Sequence, residues 1–120
     1  MGTRTKDVGK MRSDVIYTGL RGQDGGFEVY AGERKLDPAR AVEVYGSGGP
    51  REFAWGYPGA GPRLLATGIL ADFLNGDTEQ ARRLHIDFAM QFVEQWNTEE
   101  PWNLPAQHIE RFVLAHREQG

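Results

Sequence analysis

Arg51, Trp55, Tyr57, Gly59, Gly61 and Arg63 fall within one short stretch, and their types suit two kinds of binding. The first is anion binding. A helix that starts near Pro62 presents free backbone N–H groups, and glycines at 59 and 61 let a phosphate or nucleotide approach them closely. Arg63 would add charge. Against this, the stretch lacks the Lys-Ser/Thr ending of a P-loop and does not fit Gly-x-Gly-x-x-Gly, and Pro62 removes one donor. A purely structural turn is the competing reading. The second kind is base stacking. Trp55 and Tyr57 lie two apart, so on a strand they share a face, and with Arg51 and Arg63 they could hold a single-stranded nucleic acid. The competing reading is that both rings close the core where strands give way to helices.

Other chemistry finds little support. The chain has no cysteine, which excludes disulfides, thiolate catalysis and Cys-based metal sites. Its histidines are His85, His108 and His116, and none forms a His-x-x-x-His pair. His108 and His116 stand about two helical turns apart, too far for one metal. Asp72, Asp87, Glu28, Glu43, Glu99 and Glu100 are scattered and single out no acid/base pair. Ser47 sits in Gly46-Ser-Gly48, which is not a nucleophile elbow. The expectation is no catalytic residue, no metal and no cofactor.

The elements that must position these residues change period halfway along. Val15–Leu20 and Phe27–Ala31 are β-branched or aromatic runs separated by Gly22-Gln-Asp-Gly-Gly26, which predicts a hairpin. Arg34–Leu36 and Ala41–Tyr45 read as further strands, and Glu52–Gly56 as a final short one. From Pro62 to Asn75, the spacing of Leu65, Ile69, Leu70, Phe73 and Leu74 is helical, with Gly76 as the C-cap. Asp77 with Gln80 predicts a capping box. Ala81, Leu84, Phe88, Phe92 and Trp96 then form one stripe of a helix over residues 78–97. Residues 97–102 read as a loop, and Pro105 as the start of a last helix. Strands followed by helices, without alternation, predict an α+β fold. About four short antiparallel strands in the N-terminal half would pack against two or three C-terminal helices.

At 120 residues and 39% apolar, the chain fits one domain with one core. Residues 1–13 read as a flexible tail and 14–117 as the domain. A net charge of −3 is too mild for a protein that coats nucleic acid. No apolar run approaches the ~20 residues of a membrane span, and residues 1–12 lack a signal-like stretch. The expected location is the cytoplasm.

Phe53-Ala-Trp-Gly-Tyr-Pro-Gly-Ala-Gly-Pro62, followed by Leu64-Leu-Ala-Thr-Gly-Ile-Leu-Ala-Asp72, resembles the signature of domain-of-unknown-function family 6166. Tyr17-Thr-Gly19 and Trp102-Asn-Leu104 resemble its early Tyr-x-Gly strand and its late Trp-x-Leu segment. Ala60 replaces the usual serine, and Pro105 stands where a helix-capping Ser or Thr is common. The resemblance implies a small bacterial or phage-associated protein but no activity. Together with the absence of a catalytic constellation, it leads to a non-enzymatic binding protein that contacts a host or phage protein complex, plausibly inhibiting host defence machinery. Acidic residues such as Asp77, Glu79, Glu94, Glu99 and Glu100 would face a basic partner.

Overall fold

A computed structural model describes residues 11–46 and 48–119. The elements run β1 (Ile16–Arg21), β2 (Phe27–Ala31), β3 (Arg34–Lys35), α1 (Pro38–Tyr45), α2 (Ala60–Phe73), α3 (Thr78–Gln91), a 3₁₀ turn (Val93–Gln95), β4 (Trp102–Pro105) and α4 (Ala106–Gln119). The strands form one antiparallel sheet in the order β3-β2-β1-β4. The fold is therefore α+β, with a four-stranded sheet as expected. Its helices number four rather than two or three, and the fourth strand arrives late in the chain.

Three segments depart from the sequence reading. Ala41–Tyr45 is not a strand but the body of α1. Asp37 caps that helix by accepting the Ala39 N–H at 2.9 Å, and Pro38 occupies its first turn. Ala41 is buried while Val42, Val44 and Tyr45 pack against the core, so tertiary contact outweighs their β propensity. Glu52–Gly56 takes no ladder partner and runs as irregular chain. Residues 102–105, read as loop and helix start, form β4 beside β1, with Thr18 opposite Asn103 and Tyr17 opposite Leu104.

The later helices follow their signals more closely. Gly76 takes φ 96° and its N–H reaches the Ala71 carbonyl at 3.0 Å, closing α2. Asp77 Oδ1 accepts the Gln80 N–H at 3.2 Å, while the Gln80 amide returns to Asp77 Oδ2 at 3.3 Å. The long helix expected over 78–97 stops at Gln91 and continues as the 3₁₀ turn.

α2 is the centre of the molecule. Leu64, Leu65, Ala66, Thr67, Ile69, Leu70 and Phe73 are all buried, and each large apolar side chain among them contributes about 1.5–3 kcal/mol. The sheet sets Tyr17, Val29, Ala31, Trp102 and Leu104 into the same core. Alternate positions Ile16, Thr18, Leu20, Glu28, Tyr30, Asn103 and Pro105 point the other way and stay at least partly accessible. One sheet face is covered. The other is open. Of the expected tail, residues 1–10 lie outside the described ones, whereas Met11 packs on the core and the Arg12 N–H bonds to the Phe73 carbonyl at 3.0 Å.

Candidate functional site

The glycine-rich corner is built by pinning residues 53–56 against residues 93–98. Trp55 is 0% exposed and its indole N–H donates to the Asn97 carbonyl at 3.1 Å. Its ring meets Phe27 at 4.1 Å and stands edge-on to Trp102 at 5.7 Å. Thr98 Oγ1 donates to the Trp55 carbonyl at 3.0 Å, and the Gly56 N–H reaches the Val93 carbonyl at 3.0 Å. Gly56 has φ 94°, and a Cβ there would strike Thr98 Oγ1. The chain then turns outward, leaving Tyr57 45% exposed. Trp55 and Tyr57 thus do not share a face, contrary to the strand-based expectation, because residues 53–56 are not a strand and the backbone bends at Gly56 with φ 94°.

The remaining corner residues divide between packing and surface. Gly59 is the N-cap of α2 and supplies no side-chain acceptor. A Cβ on Gly61 would come within 2.8 Å of Ala54 Cβ and 3.2 Å of Tyr57 Oη, so the close approach there is made by the corner itself. Arg63 is partly buried, and its Nε is shielded from solvent with no hydrogen-bond partner. Arg51 is exposed. Ser47 lies outside the described residues.

A second constellation was not anticipated. Tyr17 Oη donates to Asp72 Oδ2 at 2.7 Å, and Arg34 Nη2 donates to Asp72 Oδ1 at 2.7 Å. Both carboxylate oxygens are therefore engaged. Burial of Tyr17 pushes its phenol well above the ordinary tyrosine range, and the adjacent Asp72 charge and hydrogen bond push it further. Arg12 and Arg34 pull the other way. The phenol stays protonated at neutral pH and serves as a donor only. Nearby, Arg12 Nη2 donates to Asn75 Oδ1 at 3.0 Å. This cluster ties β1 and β3 to the end of α2. The sequence reading placed Asp72 among scattered carboxylates; the usable signal was that Tyr17 and Asp72 both belong to the segments carrying the family resemblance.

Those segments meet in space. The Trp102 indole lies directly on Gly19, where a Cβ would collide with the ring, and Trp102 also stacks on Trp96 at 4.1 Å. Tyr17 holds Asp72, Gly19 receives Trp102, and Trp102 meets Trp55. The recognisable residues build a core.

The open sheet face presents Ile16 at 51% and Leu20 at 37% exposure, beside Thr18, Tyr30 and Asn103. Tyr30 Oη donates to Glu28 Oε1 at 3.0 Å, which pushes the Tyr30 phenol up, and Lys35 Nζ lies 3.7 Å from Glu28. The free edge of β4 is poor in donors. Ala106 N–H bonds to Val15, so the alternate positions turn outward, and of these Pro105 and the preceding Pro101 have no N–H. Asn103 is left as the donor between them.

Among the described residues no three His, Asp or Glu side chains converge to hold a metal, and no helix is long and apolar enough to cross a membrane. The chain matches a family of unknown function, DUF6166, over residues 17–115. No curated protein and no solved structure matches it.

Proposed function

We propose that this chain, which belongs to the family of unknown function DUF6166, is a non-enzymatic binding protein that acts by protein–protein contact through the open face of its sheet. One observation carries the reading: Tyr17, Val29, Trp102 and Leu104 are buried on the inner face, while Ile16 and Leu20 stand uncovered on the outer face of β1. Apolar side chains grouped on one face and flanked by Thr18, Tyr30 and Asn103 have the make-up of a contact patch. The proline-flanked edge of β4 disfavours strand addition, so contact falls to the face rather than the edge. A host or phage protein complex, whose activity this chain would inhibit or modulate, is the partner class we propose, on the family resemblance. The test is affinity capture with the purified chain and with Ile16→Lys/Leu20→Lys. A partner retained by the native chain and lost by the double variant, at unchanged melting temperature, supports the reading. Equal retention by both overturns the assignment of the face.

A second reading is favoured by Arg63. Among the described residues its Nε has no acceptor at the first turn of α2, whose Gly59 cap leaves the leading amides without a side-chain partner. A nucleotide or small anion held there would raise the melting temperature, and Arg63→Gln would abolish that rise. No shift with phosphate or nucleotides removes this reading. The stacking reading has less support, because Trp55 is 0% exposed and packs against Phe27 and Trp102.

A further inference from the structure

α4 runs back along α3, and the seam between them collects cations that have no carboxylate partner among the described residues. Arg83 Nη2 and Arg117 Nε both donate to Gln80 Oε1, each at 3.3 Å. Arg111 Nη2 donates to Nδ1 of His108 at 3.0 Å. Between these ends, His116 donates from Nδ1 to the Phe112 carbonyl at 2.9 Å and sets Nε2 3.4 Å from Asp87. Three guanidinium groups are thus held by neutral acceptors, in a chain whose net charge is −3. Where His108, Arg111 and His116 surround it, the seam opens into a cavity of about 280 Å³ floored by Phe92 and Phe112. Their rings lie 6.0 Å apart, edge to face.

We propose that this seam is a docking groove for an acidic segment of a partner protein that carries an apolar anchor. Charge complementarity selects the acidic flanks, since Arg83, Arg111 and Arg117 have no counter-ion among the described residues and a guanidinium fork pairs well with carboxylates. The aromatic floor selects the anchor, because a cavity of this size admits an aliphatic or aromatic side chain. A nucleic-acid strand would satisfy the charges but needs open ring faces for its bases, whereas Phe112 is buried against Phe88 and His116, and Phe92 is partly buried with its ring packed on Phe88 and Phe112. The groove shares with the function proposed above only that the chain works by protein contact. It uses a different surface.

The test is fluorescence anisotropy at low salt with a fluorescein-labelled peptide of Glu-Glu-Leu repeats, its Gln-Gln-Leu and Glu-Glu-Ser counterparts, and labelled oligothymidylate. The Glu-Glu-Leu peptide binds saturably and loses affinity as salt rises. Arg111→Gln/Arg117→Gln weakens it about tenfold or more, and Ala115→Glu, at an exposed position lining the groove, does the same. Ile16→Lys leaves it unchanged, which separates this groove from the sheet face. The proposal is overturned if the peptide does not bind, if either control peptide or oligothymidylate binds equally well, or if the groove variants bind like the native chain.

Discussion

Gly56 decides the geometry of the corner that contains most of the candidate residues. Two positions apart puts side chains on one face only while the backbone stays extended, and φ 94° at Gly56 ends that condition between Trp55 and Tyr57. The identities of the corner residues were legible in the sequence, but their directions were not, because alternation presumes a ladder that residues 53–56 do not join. Gly56→Ala combines an unfavourable backbone with a collision against Thr98, and should cost about 3 kcal/mol or more, read as a fall in the urea midpoint at constant m. Ala60→Ser, at the exposed start of α2, should stay within about 0.5 kcal/mol of the native chain, which tests whether a hydroxyl matters in that turn. Tyr17→Phe removes the donor to Asp72 and should cost about 1–2 kcal/mol at neutral pH. It should also change the alkaline limb. The phenol is raised in the folded state, so its contribution is complete below the ordinary tyrosine value of about 10 and is lost as pH climbs beyond it, when the unfolded chain sheds a proton that the native state keeps. The native chain should therefore lose stability above about pH 10, by up to ~1.4 kcal/mol per pH unit for this group, and Tyr17→Phe should flatten that slope by about one proton. An identical slope in the variant would refute the assignment.

Elements were read best where local signals agreed with packing. α2, the first hairpin and the start of α3 appear where periodicity placed them, though α3 ends at Gln91 instead of 97, and Gly76 and Asp77 punctuate the helices as their residue types imply. α1 was missed because Val42, Val44 and Tyr45 speak for a strand while Asp37-Pro38 speaks for a helix start, and the burial that settled the matter is a property of the assembled core. β4 was missed for the opposite reason. Its four residues follow Pro101 and end on Pro105, prolines that locally signal a loop, and its pairing partner β1 lies near the other end of the chain. Capping should matter most for the shortest helix, since α1 has eight residues and little intrinsic stability of its own. Asp37→Ala should thus cost about 1 kcal/mol in equilibrium unfolding, and Asp37→Ser should recover most of it by restoring an acceptor for the Ala39 N–H. If serine is no better than alanine, the cap does not hold α1.

For the whole molecule, the late strand adds to the ties that Tyr17, Phe27 and Arg34 already make between the sheet and the rest of the core. β1 and β2 pair locally, and α1, α2 and α3 pack on one another, while the first hairpin meets the glycine-rich corner both directly, Phe27 on Trp55, and through Trp102. That indole rests on Gly19, stacks on Trp96 and stands against Trp55, so three segments distant in sequence converge on one side chain. Its Nε1 is buried without a hydrogen-bond partner among the described residues, a cost that the surrounding aromatic packing has to outweigh. Trp102→Ala would empty that junction and should cost about 3–5 kcal/mol, a large share of the ~5–15 kcal/mol typical of a whole domain. Because Trp55 and Trp96 lose their common neighbour, the near-ultraviolet circular dichroism should collapse together with the melting temperature. Trp102→Phe should restore part of both, since a smaller ring still covers Gly19. The open sheet face should behave in the opposite way. Ile16→Lys removes nothing the core depends on, and its unfolding free energy should stay within about 0.5 kcal/mol of the native value. A large destabilisation by Ile16→Lys would mean that the outer face is part of the fold, and the contact surface would have to be sought elsewhere on the molecule.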